Sequence, residues 1–391
     1  MTAAPVLMKG NEAMAEAAVQ AGCDAYFGYP ITPQAEVLEW MARRMPELGR
    51  TFIQAESELG AINMGLGAAA TGARVLVSSS SPGISLMAEG MSYMAGSEVP
   101  IVLLNVMRGG PGLGSIGASQ SDYFQATRGH GHGDYRTPVL APSSIEEAVA
   151  LMADAFEIAE RYRTPVWVLT DGVLGQQMEP VVPQYRTPAR HEFDWALSGT
   201  GGTREPRVVR SLHLQPYELE EHNTHLQQKY AEIARNETRF ATEDLDDADI
   251  CVVGYGTAAR VARTACERAR ANGIKAGIFR PISLWPFPAE ALAKAAAKVS
   301  AVVVVELSAG QMIEDVRLSL EGSCPIYFVG RTGGMIPTPG EVLETIRNAA
   351  LEAEPDYWLP AGETATSTPS TKTAEKCPES AVGLYPVELF E

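Results

Sequence analysis

Pro100-Ile101-Val102-Leu103-Leu104-Asn105-Val106 is an apolar run without alternation, the pattern of a strand buried on both faces of a parallel sheet. Thr164–Thr170 has the same character. Outward from these runs, strand-like and helix-like segments alternate. Ala25–Tyr29, Thr51–Gln54 and Arg74–Ser79 read as strands, and Glu12–Ala21, Pro33–Met45, Ser57–Ala70 and Ile84–Met94 as helices. Gly22 and Gly72 stand where helices end. The alternation predicts a doubly wound α/β domain over residues 1–180.

Over 181–247 the composition turns polar and charged, holds four of the six histidines and shows no sustained apolar period, so it reads as an inter-domain arm. The α/β rhythm then returns. Asp249–Val253, Lys275–Phe279, Ala301–Glu306 and Ile326–Val329 read as strands, with helices over Ala258–Ala271, Ala289–Ala297 and Gln311–Leu320, which predicts a second, smaller α/β domain over 248–350. Residues 351–391 form a tail whose Thr, Ser, Pro and Lys content between Gly362 and Glu379 is that of a linker.

The chain has 391 residues, with 48 acidic side chains against 31 basic ones and a net charge of −17, which argues against a nucleic-acid-binding surface. Five scattered cysteines, Cys23, Cys251, Cys266, Cys324 and Cys377, include no C-x-x-C pair, so neither a disulfide framework nor an iron–sulfur site is encoded. No run approaches the roughly 20 apolar residues needed to span a bilayer, and no basic segment leads into an apolar one at the start, so the expected location is cytoplasmic.

Two glycine loops invite a nucleotide reading. Gly112-Leu113-Gly114-Ser115-Ile116-Gly117 matches G-x-G-x-x-G but lies several residues past its strand, and no periodic helix opens after it. Gly254-Tyr255-Gly256-Thr257-Ala258-Ala259 stands directly between strand and helix, yet Arg280-Pro281 follows the next strand where the dinucleotide fingerprint needs an acidic residue. Glycines that let a helix approach a strand closely account for this second loop.

Other residues carry two readings each. Arg108, in Arg108-Gly109-Gly110-Pro111, ends a buried parallel strand, where open α/β sheets bind ligands, and is either a carboxylate-binding fork or a surface arginine in a turn. Thr32, in Tyr29-Pro30-Ile31-Thr32-Pro33, either caps a helix or contacts an anion. Glu56 and Glu58 at a helix start are dipole partners or, in a shielded site, catalytic carboxylates. His130 and His132 make a weak metal pair, or a polar loop that touches substrate or cofactor.

Together, Leu7–Ala13, Gly28–Pro33, Gln54–Glu58, Ser80-Ser81-Pro82-Gly83, Arg108–Pro111, Gly131–Tyr135, Pro286-Phe287-Pro288 and Val305–Met312 resemble the α subunit of 2-oxoacid:ferredoxin oxidoreductases, most nearly the 2-oxoisovalerate (branched-chain) branch. The resemblance covers about residues 6–350 and not the tail beyond Gly362. It implies a thiamine-diphosphate-binding, pyrimidine-type domain followed by a transketolase C-terminal-like α/β domain. A partner β chain would supply the diphosphate and Mg2+ site and a [4Fe–4S] cluster, with γ and ferredoxin-like δ subunits completing the assembly. Thr170-Asp171-Gly172, the nearest match to the Gly-Asp-Gly diphosphate motif, lacks the first glycine.

The reaction implied is oxidative decarboxylation of a 2-oxoacid to acyl-CoA and CO2, with electrons passing to iron–sulfur clusters on partner chains and then to ferredoxin or another acceptor. The family's glutamate bonds N1′ of the aminopyrimidine and is followed nine positions on by a glycine. Both Glu58 with Gly67 and Glu56 with Gly65 satisfy that spacing, and Glu58 aligns better through Gly72 and Ser81-Pro82-Gly83. Pro30, Ile31, Ser81, Pro82 and Gly83 match cofactor-wall positions; Thr32, Arg108 and His132 match substrate positions. Three alternatives stay open: the same chemistry on aromatic 2-oxoacids, pyruvate or 2-oxoglutarate; a stand-alone NAD-dependent dehydrogenase using Gly254–Ala259; and a scaffold subunit, against which Glu58, Thr32 and Arg108 argue.

Overall fold

In chain order, β1 (Val6–Lys9) and α1 (Gly10–Gln20) lead into β2 (Ala25–Gly28), α2 (Ala35–Glu47), β3 (Thr51–Gln54), α3 (Glu58–Ala70), β4 (Val75–Ser79), α4 (Ser81–Ser85), α5 (Ala88–Ser97) and β5 (Ile101–Met107). A loop carrying α6 (Tyr123–Thr127) precedes β6 (Val139–Leu140), α7 (Ile145–Tyr162), β7 (Pro165–Asp171), α8 (Gly172–Gln176) and β8 (Met178–Val181). There follow α9 (Pro216–Asn236), β9 (Phe240–Glu243), β10 (Ile250–Val253), α10 (Gly256–Ala271), β11 (Ala276–Pro281), β12 (Ser283–Trp285), α11 (Ala289–Ala296), β13 (Ala301–Glu306), α12 (Met312–Leu320), β14 (Ile326–Gly330) and α13 (Pro339–Ala350). The structure, a computed structural model, describes residues 4–182 and 187–351, so the expected tail and Cys377 lie outside the described residues.

Seven strands form the first sheet in the order β12-β6-β7-β5-β4-β2-β3, with every pairing parallel except β12 with β6. All residues of β2, β4, β5 and β7 are buried, which is why their sequences show no alternation. The chain runs outward from β2 to β3 and then crosses back to β4, so the topological switch point lies between β2 and β4. The crevice outside the carboxyl ends of those strands is where such sheets bind ligands. The second sheet, β14-β13-β10-β11-β9, is parallel except at β9. Both sheets lie within one compact unit.

Two features depart from the sequence reading. The polar stretch contains α9, whose buried stripe is only Leu226, Lys229, Tyr230 and Ile233. That stripe is too narrow to register as an apolar period, and one member is a lysine. Lys229 Nζ is neutralised in place by Glu98 Oε1 at 2.9 Å and donates to the Arg163 carbonyl at 3.2 Å, while burial pulls its pKa down. The other feature is β12, three residues of the second half that pair antiparallel with β6 and so close one edge of the first sheet.

The halves are stitched by buried polar bonds. Gln120 donates its backbone N–H to the Leu307 carbonyl at 2.8 Å, and its Oε1 accepts Leu307 N–H at 3.0 Å. The Arg280 guanidinium grips both oxygens of Glu147 at 2.9 Å each. Glu306, wholly buried at the end of β13, accepts from the N–H groups of Gln311, Met312 and Ile313 and from Ser308 Oγ, all at 2.8–3.0 Å. The Val305–Met312 motif is therefore an internal cap for α12. Burial pushes the Glu306 carboxyl pKa up even though these bonds pull it down.

Candidate active site

The carboxyl ends of β2, β4 and β5 and the start of α3 border an open cavity of about 490 Å3, lined by Pro30, Ile31, Thr32, Glu58, Pro82, Gly83 and Arg108. The chemistry-bearing side chains on its wall are Glu58 and Arg108, both buried. Its rim is apolar, with Tyr29, Leu86 and Leu113 exposed to solvent.

Glu58 is the first residue of α3. Ser57 before it adopts an extended conformation, and its side chain accepts Gly60 N–H at 3.2 Å, which caps the helix. The cap turns Glu58 inward to 5% exposure, where, among the described residues, Oε1 accepts a single long bond, from Ser79 Oγ at 3.3 Å. Glu56, one residue before the cap, is exposed. A methyl group on Gly83 would lie 2.7 Å from Glu58 Cδ and collide with Glu58 Oε1 and Ser79 Oγ, so the lack of a side chain at Gly83 is what lets the carboxylate and Ser79 pack against it. Gly83→Ala is expected to displace the Glu58 carboxylate and lower turnover at least tenfold, with a stability loss of about 1–3 kcal/mol from overpacking. Steady-state kinetics and a thermal melt check it, and unchanged turnover would count against this geometry.

Arg108 emerges from β5 with 7% exposure. Its Nη1 donates to the Thr32 carbonyl at 2.9 Å and its Nη2 to the Leu113 carbonyl at 3.0 Å, while Nε is buried without a partner. A buried donor left unpaired is costly, and this one belongs to a side chain on the cavity wall. Thr32 is exposed at the rim and caps no helix, since α2 begins at Ala35 after Gln34.

Ser81 lies beside this cavity rather than in it. It borders an adjoining space of about 710 Å3 that shares Pro82 and reaches Ser308 and Gln311 of the second half. His132 is not among the residues around the cavity: it is exposed, its ring edge faces Tyr93 at 6.3 Å, and its carbonyl accepts from Ser92 Oγ at 2.6 Å. His132, expected among the substrate residues, thus stands outside this cavity, on the 129–135 loop that packs over α5. His130 bonds the Ile84 carbonyl through Nε2 at 2.7 Å and packs edge-on against Trp167, and burial keeps its imidazole pKa low. Among the described residues no three metal-ligating side chains converge.

The two glycine loops have structural roles. Gly256, the first residue of α10, has φ +53°, and that helix start is filled by Asp171, which accepts the Thr257 Oγ1–H at 2.8 Å and the Thr257 N–H at 3.3 Å. A protein carboxylate thus takes the place that a pyrophosphate would need at that helix end. The Gly112–Gly117 loop folds on itself, with Ser115 N–H bonding the Gly109 carbonyl at 2.8 Å, and rests on Gly333 through Ser115 Oγ at 2.9 Å. Ser79, Asn105 and Asp122, buried and bonded to Glu58 or Ser81, are polar residues beside this cavity that the sequence did not single out. Asn105 did leave a signal, as the lone polar residue in an otherwise apolar strand.

Residues 16–232 match the family model described as pyruvate flavodoxin/ferredoxin oxidoreductase, thiamine diphosphate-binding, and 248–342 match pyruvate:ferredoxin oxidoreductase core domain II. The chain is an α subunit of the 2-oxoacid:ferredoxin oxidoreductase family. Among relatives of this family, it is 50% identical over 345 residues to ketoisovalerate oxidoreductase subunit VorB of Methanothermobacter thermautotrophicus, covering 88% of this chain and 97% of that protein. It is 38% identical over 350 residues to 2-oxoglutarate synthase subunit KorA of Archaeoglobus fulgidus, covering 87% and 98%. The 2-oxoglutarate:ferredoxin oxidoreductase from Magnetococcus marinus, solved with 2-oxoglutarate, coenzyme A and succinyl-CoA bound, superposes with a TM-score of 0.81 at 26% identity, covering 89% of this chain and 65% of that one. A split-gene transketolase shares the fold at a TM-score of 0.55 and 16% identity, over 88% of this chain and 98% of that one. The oxidoreductase family thus carries its thiamine-diphosphate-binding domain on the first sheet and a transketolase-C-like α/β domain on the second.

Proposed function

We propose that this chain is the α subunit of a CoA-acylating oxidoreductase for branched-chain 2-oxoacids, with Glu58 as the aminopyrimidine partner and Arg108 and Thr32 as the substrate-carboxylate site. The observation that carries the reading is the buried Glu58 carboxylate, with one long hydrogen bond, on the same cavity wall as Arg108, whose Nε is buried without a partner. The residues fit the cofactor: a buried carboxylate packed directly against Gly83, both on the wall of the cavity. Thiamine diphosphate, when bound, supplies the nucleophilic carbon and electron sink for decarboxylation. Glu58, its position fixed by the Ser57 cap, would hydrogen-bond the pyrimidine N1′ of the bound cofactor. Pro30, Ile31, Pro82 and Gly83 line the same cavity and would form the wall against the ring. Arg108 orients the 2-oxoacid carboxylate by charge-assisted hydrogen bonds, with the Thr32 hydroxyl beside it. The apolar rim excludes water when covered, which favours loss of the charged carboxylate as neutral CO2.

The branched-chain assignment rests on the cavity's own surface and on the VorB likeness. Ile31, Leu86 and Leu113 are apolar, and among the described residues Arg108 is the one cation on the wall, whereas a dicarboxylate would call for a second. We assign the diphosphate, Mg2+ and the [4Fe–4S] clusters to β and ferredoxin-like partner chains, with γ completing the assembly. Asp171, in the nearest approach to a diphosphate motif, is spent on the Val173, Leu174 and Thr257 N–H groups and the Thr257 hydroxyl. No helix among the described residues is long and apolar enough to cross a membrane. The free thiols of Cys23, Cys251, Cys266 and Cys324 accord with a reducing, cytoplasmic setting.

The test is to purify the chain with its co-expressed partners and follow cluster bleaching with CoA and a panel of 2-oxoacids. A branched-chain 2-oxoacid should give kcat/KM about tenfold or more above pyruvate, 2-oxoglutarate and phenylglyoxylate. Preference for 2-oxoglutarate would overturn the substrate assignment, and absence of thiamine diphosphate from the active complex would overturn the cofactor site.

A further inference from the structure

Asn105 and Asp122 are buried polar groups for which the chemistry above has no use, and both reach the site wall through Ser81. Asp122 Oδ2 accepts Ser81 Oγ–H at 2.6 Å and Asn105 Nδ2–H at 2.9 Å, and Asn105 Oδ1 accepts Ser81 N–H at 3.3 Å. A hydroxyl has one proton to give. Two acceptors lie within its reach, Asp122 Oδ2 at 2.6 Å and the Arg108 carbonyl at 3.2 Å; the nearer, charged one takes the proton, and Ser81 Oγ presents a lone pair to the backbone N–H of Arg108 at 3.0 Å. The chain of bonds therefore runs from a buried carboxylate to the strand end that carries the substrate arginine. It also fixes the start of α4, whose next residues, Pro82 and Gly83, line the cavity.

The segment holding Asp122 is itself anchored to the second half. On one side of Asp122, Gln120 is bonded to Leu307 in both directions. On the other side, Tyr123 Oη donates to Asp315 Oδ2 at 2.5 Å and Phe124 N–H to Gln311 Oε1 at 2.8 Å. We propose that Asp122 is a positioning residue which, through Ser81, sets Arg108 against the substrate carboxylate and couples that setting to the seating of β13 and α12. The proposal rests on the assignment of Arg108 made above. It predicts that substrate affinity depends on a carboxylate that touches neither substrate nor cofactor.

Steady-state kinetics of the assembled complex test it with Ser81→Ala, Asp122→Ala, the double variant and Asp122→Asn. Ser81→Ala and Asp122→Ala should each raise KM for the 2-oxoacid about tenfold and lower kcat less. The double variant should be no worse than the worse single, because both remove one connection. Asp122→Asn, which keeps an oxygen for Ser81 and Asn105, should recover most of the loss. A KM within twofold of the parent in Ser81→Ala, or multiplying effects in the double variant, overturns the proposal. If Asp122→Ala fails to assemble, Ser81→Ala decides alone. Arg108→Lys separates the two layers: a raised KM there with none in Ser81→Ala sinks only the coupling, while an unchanged KM in both sinks the Arg108 assignment.

Discussion

Glu58→Gln in the assembled complex is expected to lower turnover by about three orders of magnitude while leaving subunit assembly intact. The amide keeps the shape of the side chain behind the Ser57 cap and beside Gly83, so packing changes little, but it cannot share a proton as a carboxylate does. Loss of a positioned proton-transfer group typically costs 10²–10⁴-fold. Glu56→Gln is the paired control: its carboxylate is exposed, and turnover within about twofold of the parent is expected. Cluster reduction by substrate under single-turnover conditions reads both variants. Near-normal reduction in Glu58→Gln together with collapse in Glu56→Gln would transfer the role to Glu56.

Arg108→Gln should cut kcat/KM for the 2-oxoacid by about a hundredfold or more, the scale of losing charge-assisted bonds to a carboxylate in a shielded site. Because Nη1 and Nη2 also hold the Thr32 and Leu113 carbonyls, the variant should loosen the 109–117 loop, visible as faster amide exchange there. KM for CoA should stay near the parent value. A 2-oxoacid KM unchanged within twofold would show that Arg108 serves only the loop.

The strands were legible because burial on both faces leaves an unmistakable apolar run in β2, β4, β5 and β7, and the switch point follows from their order. Residues just past those runs, Pro30–Thr32, Pro82–Gly83 and Arg108, border one cavity for that topological reason. Which of two glutamates faces inward was less legible, since both satisfy the spacing to a glycine. The difference lies in a single cap at Ser57, a matter of backbone conformation rather than composition. Loop residues fared worst. His132 and Asp122 both sit in irregular segments, and only tertiary contacts turn Asp122 inward and leave His132 outside. The helix α9 was hidden because its buried face spends one position on a lysine whose charge Glu98 satisfies.

The three-residue strand β12 limits how the gene can be divided. A fragment ending near residue 247 would present β6 with a bare ladder edge, and one beginning there would carry Ser283–Trp285 with nothing to pair against. The polar stretch between the halves therefore looks like a place to cut and is not one. An engineer wishing to split, permute or fuse this polypeptide would need to keep everything through Trp285 on the same piece as β6.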